Sequence, residues 1–458
     1  MNRIAKRTWV AMVLSVLLFA GLVFFLCEFM IKSKTWTMHE GSPHVYEDNG
    51  KLTCGAVVDR DGLLLLDANN GRVYSSDEGI RKSTVHWVGD TLGMIDAPVV
   101  PYYSEYLLDY DVFNGVYHYG DTSTVAQLTL SSYVQKVAVE ALGEYKGTVA
   151  VYNYETGEII CAVTTPTFDP NDPPEVEGNV SGDYEGLYYN RFTQGLYIPG
   201  SIFKIVTLAA ALEEMPELVN ETFTCTGSCT YGPDVITCED IHYDQTLQEA
   251  FRNSCNCAFS RLAERLGPQK LREYVEKFGV LDSVSFDGVT TAKGNFDISD
   301  AMDASVAWSA IGQHKDQINP CGFMTFMGAI AAGGQGVQPY VVDSILAGKH
   351  ITYQASTTVG EPIMSRATAE ILQSYLGLNV EEKYGSENFP GLTVCAKTGT
   401  GEVGGDKKSN AMFAGFVENS EYPLAFIICV EDGGYGKRIC VPIASKVLEA
   451  CQIALGGE

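Results

Sequence analysis

The sequence predicts a mixed α+β protein, an antiparallel sheet with a helical insertion, preceded by one transmembrane helix and a small stalk domain. Three observations carry this. Thr8 to Cys27 contains no charged residue. β-rich runs stand at both ends of the region beginning at Gly147. The long stretch between those ends is mostly helical in pattern, so a sheet closed from both ends around inserted helices is the natural assembly. The chain has 458 residues, enough for two or three domains. Lys plus Arg is 31 and Asp plus Glu is 57, a net charge of −26. That acidity argues against nucleic acid and anionic lipid as partners.

In chain order, Thr8 to Cys27 is long enough to span a bilayer. Arg3, Lys6 and Arg7 precede it without an acid. The positive-inside rule then puts residues 1–7 in the cytoplasm as a tail, 8–31 in the membrane as an anchor, and the remainder outside. A cleaved signal peptide would have a shorter apolar core and a small-residue cleavage site, and none follows Phe24-Phe25-Leu26-Cys27-Glu28. Residues 32–142 read as the stalk. Within it, Ala56 to Leu66 reads as two strands joined by a turn at Asp61-Gly62. Gln127 to Leu142 has helical spacing, with Leu130, Val134, Val137 and Ala141 on one face. Residues 143–458 read as the main domain. Its strands are Gly147–Tyr152, Glu158–Val163, Leu392–Thr400, Ala411–Val417 and Leu424–Val430, and Val441 to Leu455 closes it as a helix.

The chemistry centres on Ser201 and Lys204. Pro199-Gly200 is a break signal, and an apolar run follows, so Ser201 stands where a buried helix begins. Lys204, three residues on, shares its helix face. A serine hydroxyl needs an adjacent base, and a lysine in a dry pocket can lose its proton near neutral pH. A Ser-x-x-Lys tetrad arises by chance in a chain this long, with the serine as a cap and the lysine snorkelling. Two further motifs weigh against that. Ser254-Cys255-Asn256 opens an amphipathic helix with Phe259, Leu262 and Leu266 on one face. Lys397-Thr398-Gly399-Thr400 closes a strand, where the glycine lets another chain approach and the lysine and threonines offer donors to a carboxylate. Ser386-Glu387-Asn388 is read as a chance copy of the second motif.

Thirteen cysteines are many for this length. Cys27 belongs to the anchor, and most of the others read as small buried hydrophobes. Cys225, Cys229 and Cys238 cluster, with His242 close behind. Their spacing fits no common zinc pattern, so a Cys225–Cys238 disulfide or free thiols is the expectation, and no metal or cofactor is assigned.

With these motifs in this order, the chain resembles the penicillin-binding proteins, the serine D,D-transpeptidases of bacterial cell-wall synthesis, in their monofunctional class B form. The likeness runs from about Thr129 to Leu455. Gly147 to Asn171, with Glu155-Thr156-Gly157-Glu158 and Phe168-Asp169-Pro170-Asn171, is similar to the family's first hairpin. Tyr189-Asn190-Arg191-Phe192-Thr193-Gln194-Gly195 is similar to its approach to the nucleophile. Ala310-Ile311-Gly312-Gln313 and Ala331-Ala332-Gly333-Gly334 match later landmarks.

The resemblance implies the serine β-lactamase/D,D-peptidase-like fold and a penicillin-sensitive enzyme that cross-links peptidoglycan stem peptides through an acyl-serine. It implies Ser201 as nucleophile, Lys204 as general base, Ser254 as proton relay and Asn256 as the residue orienting Lys204. Lys397, Thr398 and Thr400, with Gly399 between them, would hold the substrate carboxylate. The N–H groups of Ser201 and Thr400 would form the oxyanion hole. The implied partners are stem peptides, β-lactams and a membrane-embedded glycosyltransferase. His314 departs from the pattern where glycine is common, and Cys54-Gly55 departs where arginine commonly precedes the glycine.

The rivals are a D,D-carboxypeptidase, a β-lactamase, and a β-lactam sensor or inactive scaffold. A β-lactamase needs a water-activating group, and no Glu reads as placed for it. A sensor needs a signalling region inside the cell, yet about seven residues precede the anchor. An inactive scaffold would have lost a motif residue, and none is lost.

Overall fold

The structure, a computed structural model, describes residues 2–38, 45, 51–69, 71–108, 110–112, 116–117, 124–176, 182–298, 303–405, 407–418 and 421–456. A helix at Asn2–Thr37 opens the chain. Its segment Arg3–Ser33 is apolar and long enough to cross a membrane. Parts of the predicted stalk, residues 39–44, 46–50, 113–115 and 118–123, lie outside the described residues.

The main sheet has five antiparallel strands in the order Val394–Gly401, Asn410–Val417, Leu424–Val430, Gly147–Asn153, Ile159–Thr165. The two chain ends meet where Leu424 pairs with Asn153 and Val430 with Gly147. Alternation sorts the side chains. Leu424, Phe426, Ile428 and Val430 join one core with the helices Ser132–Leu142 and Gly436–Leu455. Ala425, Ile427 and Cys429 join a second, larger core with the inserted helices. Both faces are buried, so these strands read as continuous apolar runs rather than alternating ones. Val394–Gly401 lies at the sheet's edge.

The sheet of the predicted stalk differs from a self-contained unit. Its order is His350–Gln354, Val342–Ala347, Thr124–Leu128, Ala56–Val58, Leu64–Asp67, Val73–Tyr74. Two strands from beyond residue 340 thus share a sheet with four from before residue 130, joined where Val342–Ala347 pairs with Thr124–Leu128. The turn expected at Asp61-Gly62 is present, fastened by Asp59 Oδ1, which accepts the Asp61 and Leu63 N–H groups at 2.9 and 2.8 Å.

Helical spacing from Gln127 is corrected by the structure. Gln127 and Leu128 end a strand, and the helix is Ser132–Leu142, capped by Ser131. The strand wins because it has partners on both sides, Ala56–Val58 in parallel and Val342–Ala347 antiparallel, which no local period reveals. Val134, Ala138 and Leu142 form the fully buried face, in place of Leu130, Val137 and Ala141. The closing helix also starts earlier than expected, at Gly436.

Side chains tie the halves together. Arg81 grips Asp169 of the Phe168-Asp169-Pro170-Asn171 segment through two bonds of 2.8 and 2.5 Å. This bidentate geometry is the strong form of a charge-assisted pair. Arg191, 3 % exposed, binds Glu431 at 2.7 Å and so anchors the approach to Ser201 on the main sheet.

Candidate active site

Gly200–Phe203 forms a single 3₁₀ turn that leads into the helix Lys204–Glu214. Ser201 sits in that turn and is partly exposed, while Lys204 is 0 % exposed. The turn is pressed against the edge strand at two glycines. A Cβ on Gly399 would lie 2.6 Å from Pro199 O, and one on Gly200, at φ +53°, would lie 2.2 Å from Thr400 O. Gly312 packs on the opposite side, its carbonyl accepting the Gly200 N–H at 2.8 Å. Gln313 Nε2 reaches Thr400 O at 3.3 Å. His314 adopts φ +68°, so it keeps the left-handed backbone that glycine would take there.

Ser254 directly precedes the helix Asn256–Leu266, which Cys255 caps. Lys204 Nζ lies 3.2 Å from Ser201 Oγ and 3.0 Å from Ser254 Oγ. It donates to Ser254 O at 2.7 Å and Asn256 Oδ1 at 2.5 Å. Ser254 Oγ is 2.9 Å from Ser201 Oγ. The first two motifs therefore meet at one amine. Asn256 Nδ2 donates to Thr237 O at 2.7 Å, which fixes which end of its amide faces Lys204.

Lys397, 1 % exposed, sits on the face of the edge strand that looks toward the inserted helices. Its ammonium lies over the Phe251 ring at 5.4 Å, and Lys204 lies over the Phe259 ring at 5.8 Å. Burial brings Lys204 down to about 8. Burial also pushes Lys397 well below its usual range, with the neighbouring Lys204 charge adding to the effect. Two buried amines facing each other favour the neutral form of one.

Thr398 projects to the other face of the strand, as alternation requires. Its hydroxyl pairs with Tyr384 OH at 3.1 Å, and its N–H donates to the same phenol at 3.0 Å. Thr400 is partly exposed beside the turn. Ser386–Asn388 is a separate 3₁₀ turn, where Asn388 O accepts from Ser445 at 2.6 Å.

Sequence reasoning missed Tyr384 and Glu239. Tyr384 ends a π-helical turn at Val380–Tyr384, and nothing near it in sequence points to Thr398. Glu239 adds negative charge near Lys204 and Lys397 and accepts a hydrogen bond from Tyr435. Of the two alternatives for Cys225 and Cys238, a disulfide or free thiols, the structure has the free thiols. The two sulfurs are 3.7 Å apart.

The penicillin binding protein transpeptidase domain model matches residues 147–449. The peptidoglycan D,D-transpeptidase PbpA of Mycobacterium tuberculosis is 30% identical over 366 residues, covering 72% of each chain. Stage V sporulation protein D of Bacillus subtilis is 29% identical over 357 residues, covering 72% of this chain and 54% of its own. Among solved structures, penicillin-binding protein A from M. tuberculosis, as a ceftriaxone acyl-enzyme complex, superposes with a TM-score of 0.75 at 23% identity. That match covers 87% of this chain and 98% of the other.

Proposed function

The chain belongs to the penicillin-binding protein transpeptidase family, and from that premise we propose that Ser201 is its acylated nucleophile and Lys204 the general base. The protein is a peptidoglycan D,D-transpeptidase, a serine acyltransferase of cell-wall cross-linking. The observation that carries the residue roles is the Lys204 amine, in contact with Ser201, Ser254 and Asn256 at once.

The steps follow from that geometry. Neutral Lys204 takes the Ser201 proton as Oγ attacks the carbonyl carbon of the penultimate D-Ala. The Ser201 and Thr400 N–H groups receive the oxyanion, and such preorganised donors are usually the largest catalytic contribution. Ser254, bridging Ser201 Oγ and Lys204 Nζ, passes the proton to the departing D-Ala amine. The C–N bond breaks and an acyl-serine ester remains. An acceptor amine then attacks the ester along the reverse proton path. Lys397 and Thr400 bind the terminal carboxylate and Gly399 keeps the strand close, while Thr398, on the strand's other face, steadies the strand through Tyr384. In a penicillin the lactam carbonyl takes the place of the peptide carbonyl.

Residues 8–31 are proposed as the anchor, with 1–7 in the cytoplasm and the stalk (32–142) and transpeptidase domain (143–458) outside. The positive flank supports this orientation. Cross-links are useful only where glycan is made, which supports a membrane-embedded glycosyltransferase as partner, reached through the anchor or the stalk. Exchange of Thr8 to Cys27 for an unrelated membrane helix tests the anchor's part. Retained co-purification with such an enzyme assigns the contact to the stalk.

Gel labelling with a fluorescent penicillin tests the nucleophile. Wild type labels and Ser201→Ala does not. Undiminished labelling of Ser201→Ala removes the assignment. A donor and acceptor peptide pair, followed by mass spectrometry, separates cross-linking from carboxypeptidase release.

A further inference from the structure

Four side chains from separate elements converge beside Ser254. Cys225 ends the strand Thr222–Cys225, Cys238 follows the strand Asp234–Thr237, and His242 precedes the strand Tyr243–Thr246. Cys255 caps the helix Asn256–Leu266. One ligand-capable atom of each lies within 4.8 Å of the other three. Cys238 Sγ is 3.7 Å from Cys225 Sγ and 3.8 Å from Cys255 Sγ. Tetrahedral zinc with Zn–S bonds of about 2.3 Å separates its sulfurs by roughly 3.8 Å. A disulfide requires about 2.05 Å.

Two further features point to an ion. Each of the three sulfurs accepts a backbone N–H at 3.4 Å, from Gly227 to Cys225, from Cys257 to Cys238 and from Ala258 to Cys255. Hydrogen bonds of this kind orient metal ligands. His242 Nδ1 is shielded from solvent with no hydrogen-bond partner. A buried ring nitrogen in that state is costly unless something takes its lone pair.

We propose that Cys225, Cys238, His242 and Cys255 form a closed, structural zinc site. Binding replaces three S–H bonds by three Zn–S bonds, releases three protons and leaves a complex of charge −3 + 2 = −1. No oxidant or reductant is involved. The ion fastens the 222–246 hairpins to the N-terminus of the helix that carries Asn256. Cys255 lies between Ser254 and Asn256, and Ser254 is held at φ +52°, a left-handed conformation that a serine keeps only when its surroundings impose it. The zinc is thus a positioning element for two residues assigned above by the transpeptidase reading. The metal site itself does not depend on that reading.

The test uses the full chain in detergent, purified without chelator. Elemental analysis is expected to find one zinc per chain. Cobalt substitution is expected to give the intense near-ultraviolet thiolate charge-transfer band and visible bands of tetrahedral Co(II). Cys238→Ser and His242→Ala should each lose the metal, whereas Cys161→Ala, at a buried cysteine in the main sheet, should keep it. Metal-stripped wild type should acylate with penicillin at least tenfold more slowly and regain its rate on adding zinc, at an unchanged Ser201 labelling site. Less than a tenth of a zinc per chain with no cobalt spectrum overturns the site. So does a Cys225–Cys238 disulfide mapped in active protein. Retention of metal by His242→Ala with loss in Cys257→Ala overturns the ligand set. Full metal content without any acylation leaves the site standing and counts against the transpeptidase roles instead.

Discussion

Replacing Gly399 with alanine probes how closely the edge strand must hold the nucleophile turn. The added Cβ would lie 2.6 Å from Pro199 O, 3.0 Å from Ile202 Cγ2 and 3.3 Å from Ile202 N. Ordinary carbon–oxygen contact begins near 3.4 Å, so strand and turn must part by roughly 0.8 Å. Ser201 lies between Pro199 and Ile202 and must move with them. Its contacts to Lys204 and Ser254, 3.2 and 2.9 Å, would stretch beyond about 3.5 Å, where a hydrogen bond is lost. A misplacement near 1 Å at a reacting centre costs on the order of a hundredfold in rate. Overpacking costs about 1–3 kcal/mol in stability, which the domain should survive. The assay is the second-order rate of acylation by a fluorescent penicillin, with a melting curve on the same sample. A rate within threefold of wild type, in protein that melts normally, would refute the proposed dependence of Ser201 on this contact.

Four other perturbations have definite outcomes. Burial holds Lys204 down to about 8, so its neutral fraction rises about tenfold per pH unit below that value and saturates above it. Acylation should climb from about pH 6 to 8 and level off near 9, and a flat profile over the lower range contradicts Lys204 as base. Asn256→Ala should lower the maximal rate and shift the midpoint down, because the lost acceptor had favoured the charged amine; an upward shift would contradict this. Tyr384→Phe leaves the partly buried Thr398 N–H without its acceptor and should cost about 1 kcal/mol in a denaturant titration. No loss would show that water or another group replaces the phenol. Asp316, 0 % exposed beside Ser309, has its carboxyl pushed well above the usual range by burial. A raised folded-state value means stability falls as pH rises past the unfolded carboxyl's value of about 3.9. Asp316→Asn should therefore melt higher than wild type at neutral pH, with the gain shrinking toward about pH 4. An equal gain at both pH values would rule out ionisation as the cause.

What the sequence made legible was local or patterned. Ser201 and Lys204 share one turn, so three-residue spacing suffices to bring them together. The strands Gly147–Asn153 and Leu424–Val430 announce themselves as apolar runs, and the broken pattern between them marks the inserted helices. Partners distant in sequence stayed hidden. Nothing in Thr124–Leu128 foretells its pairing with Val342–Ala347, so the end of a strand has the spacing of a helix start. Tyr384 finds Thr398 only through the packing of a π-helical turn on the sheet. The cysteine cluster shows no ligand pattern in sequence because its spacing matches no compact motif. Its members come from three strands' ends and a helix cap, so the intervals between them report hairpin lengths rather than ligand geometry.

The sheet shared by segments from either end of the chain has a mechanical consequence. Thr129 stands at the joint. Its N–H donates to Val341 O at 2.8 Å, and its hydroxyl donates to Ile159 O, also at 2.8 Å. Ile159 N in turn donates to Tyr340 O at 2.9 Å. A tug on the strands before residue 130 is carried into the catalytic body by a ladder of backbone bonds loaded in shear, many at a time, rather than by a tether that swivels. The serine then holds a set bearing relative to those strands, as a tool does on a stiff boom.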